Sequence, residues 1–341
     1  MAKHVHRIII NKQKGSNCFT YDFGHTKNIS ICMSRNSIYI TAELGKVYDK
    51  EEMLSQGSYL FPDAIKKALM LHLILYSENI NMKTISVQID EECETIINTA
   101  EGHIPPIYSL VIGKLEHPFV TSWDSVALQG ILSQTKTKAD SRMAALTAFI
   151  ISKSKHFESE RFIYLWMAFN GMYGFFAKKI SETHNNRPVK REYKQIIYMQ
   201  ELLGIGCETI QEDDKSIIAH EVIALIRRCG NKAPTRKALE GGEYQELAEA
   251  IESHLVRKDS QKQYQLSAYG YLLTQFSYYF RCNLIHGNKP LALFSYADEV
   301  ELKCLRFINA LLEEFMEENL HRWFDEAYVC YLTDAAAQIV L

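Results

Sequence analysis

Apolar and polar positions change their period about a third of the way along this chain. Val5–Asn11 is apolar and β-branched, as a strand requires. Ile29–Met33 and Ser37–Ala42 have the same character and flank Ser34-Arg35-Asn36, which predicts a hairpin turn. Phe61-Pro62-Asp63 opens a helix to about Tyr76, with Ala64, Ile65, Ala68, Leu69, His72 and Leu73 at helical spacing. Thr84–Ile89 and Ile107–Ile112 predict two further strands. From Lys138 onward the period is helical. Asp140–Lys153 predicts one helix, and Glu158–Lys179 a second that carries Phe162, Tyr164, Trp166, Phe169, Tyr173, Phe175 and Phe176. Asn185–Pro188 breaks the pattern, and further helices are predicted over roughly 190–203, 214–228, 243–257, 261–286 and 297–327.

The pattern predicts an α+β chain. A small mixed α/β domain over 1–116 is followed by a linker over 117–137, where Gly130 and several Ser and Thr interrupt the periodicity, and by an all-α bundle over 138–341. The length of 341 residues suits two domains, and a hydrophobic content of 47% lets each bury a core. Net charge is −3, so any basic surface must be local. The eight cysteines (Cys18, Cys32, Cys93, Cys207, Cys229, Cys282, Cys304 and Cys330) show no Cys-x-x-Cys spacing, which argues for free thiols in a reducing cytoplasm and against a zinc knuckle. The first ten residues hold no long apolar core, so no signal peptide is expected. The longest apolar stretch, Ile163 to Ala177, is too short to span a membrane and contains Asn170 and glycines. The first third shows no Gly-rich phosphate loop, nucleophile elbow or carboxylate cluster, and no carboxylate pair that would hold a metal is recognised, so no cofactor is expected.

Chemistry concentrates at Arg281-Cys282-Asn283-Leu284-Ile285-His286-Gly287, at the end of a long apolar run. Gly287 can take the left-handed cap conformation and Pro290 prevents restart, which puts His286 in the last turn. The partial negative charge of a helix C-terminus favours an imidazolium there. Arg281 precedes His286 by five residues, about 140° around a helix, so the two border one surface without stacking. Cys282 and Asn283, four and three residues before His286, share its face more closely. One helix presents an incomplete site, and two copies about a twofold axis would gather two Arg and two His. The plainer alternative is a surface cation, a buried amide and a helix-capping histidine.

Tyr278-Tyr279-Phe280-Arg281-Cys282-Asn283-Leu284-Ile285-His286-Gly287-Asn288-Lys289 resembles the signature of HEPN domains, an Arg-x4-6-His motif with a trailing His-Gly. Upstream, Arg161-Phe162-Ile163-Tyr164-Leu165-Trp166-Met167-Ala168-Phe169-Asn170-Gly171-Met172-Tyr173 is similar to the aromatic first helix of Apea-like HEPN proteins. The resemblance covers about residues 155–325 and leaves out the N-terminal third. It implies a dimeric or higher homo-oligomeric helical bundle and a metal-independent endoribonuclease, of the kind used in toxin–antitoxin, antiphage and RNA-processing systems. It places Arg281 and His286 in the active site. The residue after the arginine is commonly Asn, Asp or His in the family; here it is Cys282, with Asn at 283, which leaves a non-catalytic module binding RNA, a nucleotide or a protein as the alternative.

The residue types suit that chemistry. A neutral His286 would take the proton of the RNA 2′-hydroxyl as it attacks the adjacent phosphate, with Asn283 beside it. Arg281 would hold the nonbridging oxygens as charge develops. Asn170 is an amide in an apolar helix, and reads either as a hydrogen bond locking that helix to the motif helix or as a member of the site. The aromatic stripe around it reads as core. Two basic stretches could bind the RNA backbone, Arg227, Arg228, Lys232, Arg236 and Lys237 in one and Arg187, Lys190 and Arg191 in the other; the alternative for both is an ordinary solvated surface. RNA is the expected partner. The N-terminal domain is expected to sense a trigger or to bind an antitoxin or other protein.

Overall fold

The computed structural model describes residues 3–12, 21–26, 29–54, 60–77, 82–98, 115–119, 122–134, 141–183, 195–196, 199, 203, 272–285 and 299–336. They fall into two compact units, Met1–Lys138 and Ala139–Leu341. The expected strand at Ile107–Ile112 and helices over 214–228 and 243–257 lie outside the described residues.

The first unit holds strands β1 (His4–Lys12), β2 (Tyr21–Thr26), β3 (Ile29–Met33) and β4 (Ser37–Leu44), helices α1 (Lys50–Leu54) and α2 (Leu60–Tyr76), strands β5 (Met82–Ile89) and β6 (Glu92–Asn98), and helix α3 (Ser125–Ser133). The strands form one antiparallel sheet in the order β2-β3-β4-β1-β5-β6. Period-2 alternation sets its register. Ile8 pairs with Ile40 and Val87, Ile10 with Ile38 and Ile85, and Ile31 and Met33 with Ile40 and Ile38. All eight of these side chains are buried, forming one apolar face across four strands. A one-residue slip would turn that face outward, so burial itself locks the register. The opposite face is tied by polar cross-strand pairs, Arg7 Nε donating to Thr41 Oγ1 at 3.2 Å and Asn11 Nδ2 to Thr84 Oγ1 at 2.9 Å.

The predicted turn closes through Ser34, whose amide and hydroxyl both donate to the Ser37 carbonyl at 2.8 and 3.0 Å. The β5–β6 turn puts Asp90 in the left-handed region, φ 51°, where an Asp is tolerated through local hydrogen bonding. Its carboxylate accepts from the Val5 amide at 2.8 Å and lies 2.9 Å from His4 Nδ1, and these contacts hold its pKa below the usual carboxylate range. Within the stretch expected to be a linker, α3 forms because Asp124 caps it, accepting from the Ala127 amide at 2.7 Å. Its Ala127, Leu128 and Ile131 are buried. A nine-residue helix needs such a buried face more than it needs length, which is why the sequence pattern understated it.

His72, on α2, is 1% exposed, and neither ring nitrogen has a hydrogen-bond partner among the described residues. Its ring stands edge-on to Tyr76, centroids 4.7 Å apart. Burial pushes its pKa from 6.5 down to about 3, and the Lys12 cation pushes the same way. The folded unit therefore holds His72 neutral. This contribution to stability is complete above pH 6.5, the unfolded value, and falls away as pH drops toward 3, at about 1.4 kcal/mol per pH unit. By about pH 5 the loss is about 2 kcal/mol. His72→Leu is expected to remove that component, seen as a smaller stability difference between pH 7 and pH 5 in urea unfolding. An unchanged difference would show that His72 is not the group responsible.

The second unit contains α4 (Ser141–Lys153), α5 (Glu158–Thr183), a π turn (Leu272–Phe276) running into α6 (Ser277–Ile285), α7 (Glu299–Leu320), a 3-10 turn (His321–Phe324) and α8 (Glu326–Ala336). Its core is aromatic. Phe169 meets Phe315 edge-on at 5.5 Å, and Phe175 and Phe176 pack on Trp323 at 5.6 and 5.1 Å. Most of the α5 aromatic stripe is core: Phe162, Phe169, Phe176 and Trp166 are at most 5% exposed. No helix among the described residues is long and apolar enough to cross a membrane.

Candidate functional site

The motif helix is fixed from one side. Leu272, Leu273, Phe276, Ser277, Phe280 and Leu284 are buried and recur at three- and four-residue spacing. Ser277 Oγ donates to the Leu272 carbonyl five residues back, at 2.7 Å, which satisfies an acceptor at the π turn. Phe280 sits edge-on to Phe276 at 5.3 Å and to Phe162 of α5 at 6.3 Å. With that face committed to the core, Arg281 and Tyr278 are left on the other side of α6.

Arg281 is half-buried. Its guanidinium carbon lies 5.4 Å from the centre of the Tyr278 ring, one turn back on the same face. Among the described residues it makes no ion pair. Tyr278 is 38% exposed, and its ring leans on Trp166 of α5, centroids 6.5 Å apart. Cys282 is half-buried and keeps a free thiol. Asn283 lies in α6, but its side chain is outside the described residues, as are His286, the basic residues Arg227, Arg228, Lys232, Arg236 and Lys237, and Arg187, Lys190 and Arg191.

Asn170 corrects one expectation. It is exposed on α5, one helical turn beyond Trp166, with Met167 beside it 54% exposed. An amide in that position keeps its water and has no need of an internal partner, so it does not lock α5 to the motif helix.

A second polar centre escaped the sequence reading. Lys153, fully buried at the end of α4, bonds both Glu313 and Glu317 of α7. Arg161 of α5 bonds Glu313 as well and reaches Glu158 at 3.3 Å. Asn309 Nδ2 donates to the Glu158 carboxylate at 2.7 Å and to its carbonyl at 2.9 Å. Two cations and three carboxylates thus interlock three helices. Burial pushes Lys153 down to about 8, against the pull of Glu317, so it is still an ammonium at neutral pH. Burial likewise lowers the Arg161 pKa, opposed by Glu158. Arg161 Nε and Asn309 Oδ1 have no partner among the described residues. A nearby pair, Arg142 with the Trp323 carbonyl at 3.0 Å and Glu326 at 2.9 Å, ties α4 to the chain around α8.

The two centres differ in kind. The charges around Lys153 are paired within the helices that carry them, and they act on the fold. Arg281 is half-buried beside an aromatic ring with no ion pair among the described residues, and it suits an anionic ligand. No protein-family model, curated protein or solved structure matches this chain.

Proposed function

We propose that the chain is a metal-independent endoribonuclease of HEPN type, acting as a homodimer or higher homo-oligomer and serving as a toxin or antiphage defence effector. One observation supports this reading above the others. Arg281 is half-exposed on a helix anchored by buried aromatics, with a π face as its described neighbour and no described carboxylate to neutralise it. A permanently charged planar fork in that state suits the nonbridging oxygens of a phosphodiester.

The reaction proceeds in line. His286 accepts the 2′-hydroxyl proton, the 2′-oxygen attacks the adjacent phosphorus, and Arg281 stabilises the charge that builds on the equatorial oxygens. The leaving 5′-oxygen takes a proton from a second copy of His286 or from water. The products carry a 2′,3′-cyclic phosphate and a 5′-hydroxyl. Incubation with RNA in EDTA should yield those ends and leave the matching DNA intact, because DNA lacks the nucleophile. Cleavage of DNA, or cleavage of RNA only with added Mg²⁺, would overturn the mechanism.

Cys282 supports a second reading. A half-buried free thiol follows Arg281 where a polar helper would aid proton transfer. A non-catalytic module binding RNA, a nucleotide or a protein would bind without turnover, and the EDTA incubation separates the two. In either case Arg227, Arg228 and Lys232 are expected to supply backbone contacts. Replacing all three with Ser should flatten the dependence of log affinity on log salt by about 2, at about 0.7 per single-strand phosphate contact. Titration at several KCl concentrations measures that slope, and an unchanged slope removes this stretch from the interface. The N-terminal α/β unit would receive the trigger or an antitoxin.

A further inference from the structure

We propose that Tyr278 is a stacking platform for one base of a single-stranded RNA whose phosphate is held by Arg281. The proposal rests on the reading of Arg281 as a phosphate clamp and adds to it the part of the ligand that is not charged.

The described aromatic side chains of the motif helix divide sharply. Phe276 and Phe280 are 3% and 1% exposed, whereas Tyr278, between them, is 38% exposed. A partly exposed aromatic ring beside a cation suits a ligand that is both flat and anionic. Tyr278 precedes Arg281 by three residues, which sets both on one face, and the guanidinium lies 5.4 Å from the ring centre. The ring is also steadied from behind. Trp166, 5% exposed, meets it at 6.5 Å and a 60° angle, so little side-chain freedom remains to be lost on binding. A nucleotide presents a phosphate and a base a short distance apart. Proteins that bind single strands pair cations for the first with aromatic faces for the second, and every base offers a π face. This arrangement predicts single-stranded RNA with little preference among bases at that position.

The test uses the full-length protein and a 2′-O-methyl oligoribonucleotide carrying one 2-aminopurine, which cannot be cut by attack of its own 2′-oxygen. Wild type is expected to quench the 2-aminopurine on binding. Tyr278→Phe should match it, since the π face is kept. Tyr278→Ala should lose the quench and bind about tenfold or more weakly, the usual effect of removing one base-stacking ring. Arg281→Ala should weaken binding but keep the quench at saturation. A melting temperature for Tyr278→Ala equal to wild type excludes a folding defect, and the Tyr278→Phe protein serves as the reference if it is lower.

Binding and quenching by Tyr278→Ala equal to wild type would overturn the proposal while leaving the nuclease reading intact. Quenching by a wild-type protein that never cuts unmodified RNA would uphold the platform and overturn the nuclease reading. Loss of self-association in Tyr278→Ala with unchanged oligonucleotide binding would mark the ring as a protein contact and overturn the platform.

Discussion

Arg281→Ala is expected to lower RNA cleavage by at least about 10²–10³-fold, the scale for removing one donor that stabilises developing charge. His286→Ala should cost a comparable 10²–10⁴-fold through loss of the general base. If the two side chains act on one phosphate, the double variant should be little worse than the poorer single, because groups that act as a unit are not additive. Arg281→Lys should recover only part of the activity, since an ammonium keeps the charge and loses the two-pronged geometry. The fold should tolerate these changes at Arg281. The side chain is half-exposed and its described contact is the Tyr278 ring, so about 1 kcal/mol or less is at stake. Single-turnover cleavage in EDTA, with a melting curve for each protein, measures both sides. Equal cleavage by wild type and both single variants would remove the motif from catalysis.

The largest effect on stability is expected at Glu313. Its carboxylate bonds both Lys153 and Arg161, and all three side chains are at most 7% exposed. Burying those charges is costly in itself, and their mutual contacts offset the cost only while each keeps its partners. Glu313→Ala takes one described carboxylate from Lys153, which keeps Glu317, and one from Arg161, which keeps Glu158, and should destabilise the second unit by about 3–5 kcal/mol. For a unit of this size that corresponds to a drop in Tm of about 6–20 °C. The quadruple change Lys153→Met, Arg161→Met, Glu313→Leu and Glu317→Leu removes the four most buried charges together and should cost far less, or even stabilise. Urea unfolding of the single and quadruple variants tests the contrast. A Glu313→Ala loss under about 1 kcal/mol would show that the network contributes little.

The elements whose pattern repeats within a few residues were legible from the chain. The apolar, β-branched run Val5–Asn11 marked β1, the spacing of Ile65, Leu69 and Leu73 marked α2, and the aromatic run after Glu158 marked α5. Burial supplies the same free energy wherever such a period occurs, so the period survives in the sequence. Strands β2 and β6 were missed. Tyr21–Thr26 and Glu92–Asn98 are the edge strands of the sheet, and an edge strand pairs on one side only, so its own composition records little of that pairing.

The candidate site was legible only as residue types. The sequence alone supplied an arginine, an amide and a histidine within six residues of one predicted helix, and an aromatic helix upstream. The tertiary structure decided which face of the motif helix is core, and so left Arg281 and Tyr278 together on the outside. It also left Asn170 in water, where an apolar run suggested burial. Glu313 and Glu317 show the same division most clearly. Four residues apart on α7, they have the spacing of a solvated charged face, yet both are buried because Lys153 meets them from 160 and 164 residues earlier in the chain. Hydrophobic periodicity is local and can be read along the chain. The partner of a buried charge is chosen by packing between distant helices, and only the folded arrangement supplies it.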